Sequence, residues 1–338
     1  SRQLRFCIYL CHGALTTMGT VIGRFAPSPS GRMHLGNVFS ALIAWSAAKS
    51  EGGKIVLRIE DLDPRAQNPH TASLLMEDLQ WLGLTWDAGP FFQSDRKELY
   101  LNALTKLKSK DLLYPCFCSR ADLHAATAPH ASDQMHPYPG TCRNLSEEER
   151  EKRLLHKAAA TRLKVPPSNN PTSFIAFTDL VYGTYRENLA CTCGDFLIQR
   201  SDNVIAYQLA VTVDDADMGI TQVVRGCDLL SSTARQIYLQ HLLGYKTPTY
   251  AHVPLLVDSD GRRLSKRDKD LDLGSFKAHG ISAEQLIGFL ASLIGLAEPQ
   301  EELSASEVAR RFSWNALRNH RENVNIRNIF PLDPFSEL

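Results

Sequence analysis

A loop near the start of the chain carries residues suited to binding a polyanion. The segment Arg24-Phe25-Ala26-Pro27-Ser28-Pro29 is followed by His34-Leu35-Gly36-Asn37, where apolar residues begin to recur at helical spacing. Free N–H groups and the dipole at a helix start favour negative charge. Gly36 would let a phosphate or a flat base approach the backbone closely, and His34 could hydrogen-bond a phosphate oxygen. Taken alone, the pattern is equally typical of an ordinary strand–helix corner with a surface histidine.

A second segment, Gly261-Arg262-Arg263-Leu264-Ser265-Lys266-Arg267-Asp268, places four cations within six positions. With Gly and Ser beside them, these cations suit a triphosphate. A solvated basic turn is the alternative, and this segment by itself favours that alternative. The formal net charge of the whole chain is zero, which excludes a polycationic protein but permits a local basic site.

The eight cysteines are too few for a disulfide framework in a chain of 338 residues. Cys116, Cys118 and Cys142 lie within 27 residues, and this spacing favours zinc in a reducing compartment. A closed structural zinc site needs four ligands. Chemistry alone favours a histidine as the fourth, and three stand in this segment: His124, His130 and His136. The other cysteines are expected to be thiols without a ligand role: Cys7, Cys11, Cys191, Cys193 and Cys227.

The elements around the first loop predict how it is positioned. Val21 to Phe25 is a short apolar run typical of a buried strand, a helix begins near Leu35, and Lys54 to Ile59 alternates as a second strand. This strand–loop–helix–strand order predicts an α/β fold with a doubly wound parallel sheet. Ligands in such sheets bind beyond the C-terminal ends of the strands, where the loop lies.

Further elements follow from periodicity and capping signals, including a helix opened by Asp95 with Glu98 and another opened by Ser146 with Glu149. The predicted helices are 71–82, 96–109, the one after 146, 229–243, 282–296 and 305–312. The predicted strands are 160–165, 174–178, 195–200 and 204–213.

The chain divides by composition into a core, an insert and a tail. Hydrophobic residues make up 43% and charged residues 22%, which is typical of a globular protein of about two domains. No apolar run approaches the roughly 18 residues of a membrane span. Residues 1–20 are expected to be an upstream extension or an expression remnant, with Met18 as a plausible start. The expected divisions are 21–115 and 161–257 for the two halves of the core, 116–160 for the insert, and 258–338 for the basic loop and a helical C-terminal region.

Together, the two phosphate-binding segments resemble the signature of the class I aminoacyl-tRNA synthetases, in which an HxGH-type element and a KMSKS-type loop grip ATP from two sides. Asn37 and Arg263 depart from that signature, whereas Lys266 matches the lysine most important to the family's chemistry. Other segments resemble the glutamyl branch, and the match runs from about residue 21 to 270. They are Arg24–Pro29, Arg58-Ile59-Glu60-Asp61-Leu62-Asp63-Pro64, Val213-Asp214-Asp215 and Val224-Arg225-Gly226-Cys227-Asp228-Leu229-Leu230.

The resemblance implies a Rossmann-type catalytic core that uses ATP with Mg²⁺, with His34 and Lys266 as catalytic residues. It assigns ATP binding to His34, Gly36, Asn37 and Lys266. It assigns L-glutamate binding to Arg24, Phe25, Ala26, Pro27, Ser28, Glu60, Tyr207 and Arg225. It also implies one structural Zn²⁺ per chain, held by Cys116, Cys118, Tyr138 and Cys142, with His136 as the second choice to Tyr138.

The residue types agree with a glutamate site. Arginine offers a planar fork for a carboxylate, and either Arg24 or Arg225 can serve. Glu60 can accept from the substrate ammonium group, and Tyr207 can hydrogen-bond and wall the pocket. Each of these residues, in isolation, is more typical of a structural role. Asp214-Asp215 is expected to be a strand-end carboxylate pair bonded to a loop and not a metal site.

Only 72 residues follow Lys266, fewer than the helical anticodon-binding region of full glutamyl-tRNA synthetases needs. This length resembles a shortened bacterial paralogue family that activates glutamate without tRNA and esterifies it to queuosine in the anticodon of tRNA(Asp). The expectation is therefore a cytoplasmic monomer with tRNA(Asp) as partner and no membrane contact. The alternatives are a shortened synthetase that charges tRNA(Glu) and a non-catalytic tRNA-binding paralogue.

Overall fold

The computed structural model describes residues 19–29, 31–64, 67–119, 137–258, 260–262, 264 and 272–326. Lys266, Arg263 and His136 lie outside these ranges. The strands are β1 Ile22–Phe25, β2 Lys54–Ile59, β3 Ala88–Phe92, β4 Leu113–Cys116, β5 Ala160–Leu163, β6 Phe174–Asp179, β7 Gly183–Asn188, β8 Phe196–Gln199, β9 Gln222–Gly226, β10 Thr249–Val253, β11 Leu256–Val257 and β12 Val324–Asn325. The helices are α1 Leu35–Ser50, α2 Pro69–Trp81, α3 Lys97–Ser109, α4 Glu147–Leu154, α5 Leu189–Thr192, α6 Tyr207–Asp217, α7 Leu230–Leu243, α8 Leu273–Ala278, α9 Ala283–Ser292, α10 Ala305–Arg311 and α11 Trp314–Asn319. Short 3₁₀ turns occupy Gln93–Arg96, Pro171–Ser173 and Cys227–Leu229.

The parallel strands form a doubly wound sheet. β1, β2 and β3 pair in parallel, and so do β9, β10 and β6, with β7 antiparallel at the far edge. The two groups meet at β1, where Thr221 N donates to Ile22 O at 2.9 Å and Ile22 N donates to Thr221 Oγ1 at 2.8 Å. The strand order reverses at β1 and β9, and this reversal leaves a crevice at their C-terminal ends.

Each face of the sheet is covered by its own hydrophobic core. Successive strand residues alternate between the two cores: Val223 packs on one side and Val224 on the other, as do Tyr250 and Ala251. One core contains α1 with α8 to α11, and the other contains α3, α6 and α7. Because both faces are covered, consecutive residues are buried in the central strands β1, β2, β9 and β10. The predicted doubly wound α/β fold is confirmed.

The prediction of a strand at 204–213 is wrong, because Tyr207–Asp217 forms helix α6. Residues 209–215 are all buried, so the middle of the helix is enclosed on every side and its apolar residues do not follow a one-sided helical pattern. A short continuous apolar run fits a buried strand equally well. The Asp214-Asp215 pair consequently lies in a buried helix and not at a strand end.

The capping signals gave mixed results. Ser146 and Glu149 form the predicted capping box of α4. Asp95, in contrast, does not cap α3: it lies inside the preceding 3₁₀ turn, and Arg96 occupies the N-cap position without a side-chain bond.

A smaller antiparallel sheet of β4, β5 and β8 supports the insert, beside a cluster of Tyr114, Cys116, Phe117 and Cys142. In the described part of the chain, the helices are all too short or too polar to cross a membrane.

Candidate functional site

A cavity of about 170 Å³ lies beyond the C-terminal ends of β1 and β9. The strand reversal creates this position, and α1 closes it on one side. The backbone N–H of Glu60, just after β2, donates to Pro27 O at 2.9 Å and so fixes the loop after β1. Most residues predicted to bind glutamate or ATP line the cavity: Arg24, Phe25, Ala26, Pro27, Gly36, Asn37, Glu60, Tyr207 and Arg225. Ser28 and His34 lie beside this lining and not in it.

Asp215 of α6 neutralises the first candidate arginine. Arg24 Nε donates to Asp215 Oδ1 at 3.3 Å, and Arg58 Nη1 donates to the same oxygen at 2.7 Å. Burial raises the pKa of Asp215, but the charges of Arg24 and Arg58 outweigh it, and the pKa is lowered overall. Arg58, fully buried, also reaches Glu60 Oε1 at 3.3 Å. Burial holds the pKa of Glu60 above its usual value despite the opposing charges of Arg58 and Arg24.

The neighbouring carboxylate, Asp214, has a structural role. It accepts hydrogen bonds from Arg96 Nε at 2.7 Å, Gln93 Nε2 at 2.8 Å and Tyr100 Oη at 2.9 Å. These contacts join α6 to α3 and the turn before it. The predicted loop contacts of this carboxylate pair are replaced by buried contacts with arginines and a tyrosine.

Arg225, at the end of β9, has only neutral hydrogen-bond partners among the described residues. Its guanidinium donates to Thr233 Oγ1 at 2.7 Å, to His252 Nε2 at 3.3 Å and to Tyr207 Oη at 3.5 Å. Its side chain is 5% exposed. Because a buried cation is costly without a counter-charge, Arg225 provides a site for an anion in the cavity.

The start of α1 forms the second part of the site. His34 is the N-cap residue of α1, with extended backbone and no side-chain cap. A Cβ on Gly36 would lie 3.3 Å from two atoms of the His34 ring, so glycine leaves room for the imidazole over the helix start. Gly36 and Asn37 both line the cavity.

The residues that follow the basic loop lie directly against this helix start. His34 forms a β-bridge with Asp272, and Leu273 N donates to Met33 O at 3.1 Å. On the other side of the loop, Leu264 is buried and donates its N–H to Leu256 O at 3.3 Å. The described residues at the two ends of the loop therefore contact β11 on one side and the start of α1 on the other. Lys266 itself lies outside the described residues.

Three cysteines of the insert form a possible metal site. The sulfur atoms of Cys116, Cys118 and Cys142 all lie within 4.8 Å of one another. Tyr138 Oη lies 3.5 Å from the sulfur atoms of Cys116 and Cys118 and accepts the N–H of Cys142 at 3.0 Å. Cys191, Cys193 and Cys227 are free thiols, and among the described residues they belong to no such group.

Arg162 of β5 stabilises negative charge at this cluster. Its Nε donates to Cys116 Sγ at 3.2 Å, and its guanidinium lies 3.7 Å from the centre of the Tyr138 ring. Burial raises the pKa of Cys116, but hydrogen bonds with Tyr138 and Arg162 more than offset it, so the pKa is lowered. Burial raises the pKa of Cys118 to about 11. A bound cation would counteract this rise, since metals bind the thiolate.

Sequence reasoning missed several residues behind the cavity, namely Arg58, Asp179, Asp215, Thr233 and His252. Asp179 and His252 stand in or at the end of strands, where a buried charged or polar residue is unusual. That contrast is a usable signal for Asp179, since it directly follows the predicted strand 174–178. β10, which carries His252, was not predicted at all.

Comparison with known proteins places this site in a family. The family model described as tRNA synthetases class I (E and Q), catalytic domain, matches residues 20–330. The chain therefore belongs to the class I tRNA synthetases of the E and Q type. Its curated relatives include the glutamyl-Q tRNA(Asp) synthetase of Symbiobacterium thermophilum, 47% identical over 315 residues, which are 90% of this chain and 95% of the relative. The glutamyl-Q tRNA(Asp) synthetase of Nitratidesulfovibrio vulgaris is 46% identical over 284 residues, which are 81% of this chain and 86% of the relative.

A solved structure supports the same assignment. The glutamate tRNA ligase from Elizabethkingia meningosepticum, crystallised in complex with its amino acid, superposes with a TM-score of 0.76 at 28% identity. The match covers 91% of this chain and 67% of that one. The resemblance predicted from the motifs, to the glutamyl branch and to its shortened paralogues, is confirmed.

Proposed function

We propose that this protein activates L-glutamate with ATP as glutamyl-adenylate and transfers the glutamate to queuosine in the anticodon of tRNA(Asp). The cavity at the strand reversal carries the first half of the proposal. There, Arg225 faces Tyr207 without a carboxylate partner among the described residues. The names of the curated relatives, which are glutamyl-Q tRNA(Asp) synthetases, support the acceptor.

The lining residues suggest how glutamate is held. The side-chain carboxylate lies against Arg225 and the Tyr207 hydroxyl, where a planar guanidinium matches it. The ammonium group lies against Glu60. The positive charge of this ammonium group stabilises the ionised form of the Glu60 carboxylate. Arg24, already paired with Asp215, shapes the pocket and adds less net charge. The α-carboxylate is left pointing toward the start of α1.

The reaction then needs little covalent chemistry from the protein. An oxygen of the α-carboxylate attacks the α-phosphorus of ATP in line, the bond to the β-phosphate oxygen breaks, and pyrophosphate leaves. His34 and the N–H group of Gly36 donate to phosphate oxygens, mainly by positioning and electrostatics. The N–H of Asn37 already donates to His34 O at 2.9 Å, so Asn37 contributes as part of the cavity lining. Lys266 adds a cation on the pyrophosphate side, and Mg²⁺ bound with ATP supplies further charge neutralisation. A hydroxyl of queuosine attacks the glutamyl carbonyl carbon, and AMP leaves.

We further propose that Cys116, Cys118, Cys142 and Tyr138 hold a structural zinc ion. A tetrahedral zinc with bonds of about 2.3 Å to sulfur and about 2.0 Å to oxygen separates its ligands by roughly 3.3 to 3.8 Å. The Tyr138 oxygen lies 3.5 Å from two of the sulfurs, and Cys118 and Cys142 are 3.6 Å apart. These three separations are compatible with zinc, and the proposed role of the ion is to fix the insert on its sheet.

Two measurements test the proposed activity. Glutamate-dependent exchange of pyrophosphate into ATP without tRNA is expected, and Lys266→Ala should abolish it. Transfer of glutamate should require tRNA(Asp) that carries queuosine. Transfer to tRNA(Glu) would instead identify a shortened glutamyl-tRNA synthetase. Absence of exchange, or an unchanged rate in Lys266→Ala, would favour a non-catalytic paralogue.

A further inference from the structure

Three buried residues contact Arg225 or its partner from behind the cavity. Thr233 comes from α7, His252 from β10 and Asp179 from the end of β6. Thr233 and His252 are 0% exposed and Asp179 is 2% exposed. None of the three belongs to the cavity lining. They therefore have no substrate contact through which to act, and their effect must pass through Arg225.

Asp179 determines the proton arrangement on His252. Asp179 Oδ2 lies 2.7 Å from His252 Nδ1 and also accepts the backbone N–H of His252 at 3.0 Å. Its other oxygen accepts the N–H groups of Val181 and Tyr182, both at 2.9 Å. A carboxylate held by three backbone donors acts as an acceptor. Nδ1 of His252 therefore carries the hydrogen, and Nε2 presents its lone pair to Arg225.

The lone pair on Nε2 orients the guanidinium. Arg225 Nε and Thr233 Oγ1 lie 3.3 and 3.0 Å from His252 Nε2, and Arg225 Nη2 donates to Thr233 Oγ1 at 2.7 Å. Burial lowers the pKa of His252, and the charges of Arg225 and Arg24 lower it further against the opposing effect of Asp179. The imidazole is thus neutral at pH 7. Two nitrogens of Arg225 are fixed from behind, and Nη1 is left facing Tyr207 and the cavity.

Neutral partners fix the direction of a cation without cancelling its charge. Asp215 next to Arg24 shows the contrast, because there a carboxylate contacts the guanidinium directly. In the arrangement around Arg225, the negative charge of Asp179 is one imidazole further away. Among the described residues, the guanidinium is therefore not directly paired with a carboxylate, and its charge remains available to a ligand.

We propose that His252, held by Asp179, is a positioning residue that together with Thr233 aims Arg225 at the side-chain carboxylate of the amino-acid substrate. This inference rests on the proposed function, in which Arg225 binds glutamate. It identifies specificity-determining residues outside the cavity. It also predicts that their loss weakens glutamate binding selectively, because their side-chain hydrogen bonds with described residues run to Arg225, to one another and to nearby backbone groups, not to the start of α1.

The test compares His252→Leu with His252→Gln in pyrophosphate exchange, with KM measured separately for glutamate and ATP. Leucine removes the acceptor, and KM for glutamate should rise roughly 10- to 100-fold, as expected when a hydrogen bond to a charged group is lost. Glutamine keeps an oxygen acceptor for Arg225 Nε and should restore most of the affinity. KM for ATP should change less than about twofold in both variants. A change of that size corresponds to less free energy than one hydrogen bond contributes.

Two further variants control for structural damage. Tyr250→Phe, on the same strand, removes a buried hydroxyl that accepts from Gln240 at 2.9 Å and makes no hydrogen bond to Arg225. It should lower the melting temperature while leaving KM for glutamate unchanged. Thr233→Val conserves shape but removes the acceptor for Arg225 Nη2, and it should raise KM for glutamate even where His252→Leu yields no folded protein.

The possible results separate the two proposals. A wild-type protein without glutamate-dependent exchange overturns both the proposed function and the positioning role. Exchange in the wild type with unchanged KM for glutamate in His252→Leu and Thr233→Val overturns only the positioning role. Equal effects of leucine and glutamine at position 252, or equal effects on both substrates, would also overturn it, because they indicate general disruption.

Discussion

At the scale of single residues, Arg24 and Arg225 differ by their partners and not by their type. Both line the same cavity, and the sequence left open which one serves the substrate carboxylate. Asp215 accepts from Arg24, whereas Arg225 contacts a threonine, a histidine and a tyrosine. The identity of the partners could not be predicted, because Asp215 lies 191 positions from Arg24 along the chain. Only the fold brings them together.

Replacement of Arg225 by lysine should therefore damage glutamate binding specifically. Lysine keeps the charge but loses the planar fork and the contacts of Nε with His252. KM for glutamate in pyrophosphate exchange should rise by roughly 10- to 100-fold, the equivalent of about 1.5 to 3 kcal/mol for a lost bond to a charged group. Tyr207→Phe removes only the weaker contact at 3.5 Å and should have a smaller effect. An equal rise in KM for ATP would contradict the assignment.

Motif residues were predictable at this scale, and their supporting residues were not. Glu60 and Arg225 stand in segments that resemble a known family, the resemblance also assigns Tyr207, and all three line one cavity. Thr233 and His252 carry no motif of their own. Their importance depends on distances to Arg225 that only tertiary packing determines. Lys266 remains a prediction.

At the scale of elements, periodicity gave a wrong result where a buried segment is heavily apolar and has no side-chain cap. Residues 204–213, which include the first half of α6, were predicted to be a strand because this segment is heavily apolar. α9 is also buried over six consecutive residues, 286–291, but a capping box of Ser282 and Gln285 marks its start, and the predicted helix is confirmed, although it ends at Ser292. Propensity and pattern report on the boundary between core and water. An element that has no such boundary shows no regular spacing of apolar and polar residues in its sequence.

The insert provides a test of the fourth zinc ligand. Tyr138→Phe keeps the ring over which Arg162 lies but removes the oxygen near the three sulfurs. Zinc content after dialysis against a chelator should fall below that of the wild type, because a closed site needs four ligands. Tyr138→His should retain the metal. Cys191→Ser, an exposed thiol outside the cluster, is the matched control and should bind zinc normally.

Retention of zinc by Tyr138→Phe would mean that another residue completes the site, with His136 as the next choice. Removal of zinc from the wild type should lower the melting temperature. β4 ends at Cys116, so the ion would connect the insert to its supporting sheet.

Asp78 connects two elements on the nucleotide side of the site. It is fully buried in α2 and accepts from Arg32 Nη1 at 2.9 Å and from Lys277 Nζ, in α8, at 2.8 Å. Arg32 lies just before His34, and α8 follows the basic loop. One carboxylate thus holds together the residues that flank both ATP-binding segments.

Asp78→Asn should therefore weaken ATP binding more than glutamate binding. Both cations are about one-third exposed, so the loss of their shared partner should cost about 1.5 to 3 kcal/mol in free energy of unfolding. KM for ATP in pyrophosphate exchange should rise several-fold, and KM for glutamate should stay near the wild-type value. Asp87→Asn, which loses Lys49 at the other end of α1, is the control and should leave both KM values unchanged. A larger effect on glutamate than on ATP would contradict this coupling.

At the scale of the whole molecule, buried charges collect between the two cores of the sheet. Arg24, Arg58, Asp215 and Arg225 are each 5% exposed or less, and they meet where the strand order reverses. The fold creates this polar centre because parallel strand ends direct their loops into one crevice. The sequence predicted the crevice from its strand–helix–strand opening. It could not predict the charge balance there, which depends on residues from β1, β2, α6 and β9 together.

This polar centre makes stability depend on pH in two separate windows. Burial lowers the pKa of folded His252 below the usual 6.5. Its contribution is fully present above pH 6.5 and is lost as pH falls from 6.5 through the folded pKa. The pKa of Asp215 lies below 3.8 despite burial, because Arg24 and Arg58 favour its charged form. Its contribution is present above pH 3.8 and is lost as pH falls below that value.

Chemical denaturation between pH 8 and pH 3 should resolve the two windows. Each group contributes a slope of at most about 1.4 kcal/mol per pH unit to the free energy of unfolding, because one proton distinguishes the folded and unfolded states. His252→Gln should flatten the curve only below pH 6.5, and Asp215→Asn only below pH 3.8. Glu60, whose pKa is raised by burial, acts in the opposite direction, so Glu60→Gln should increase stability at pH 7. A His252→Gln curve parallel to the wild type between pH 6.5 and 5 would show that the buried imidazole is not held neutral by its surroundings, and the proton arrangement behind Arg225 would then be wrong.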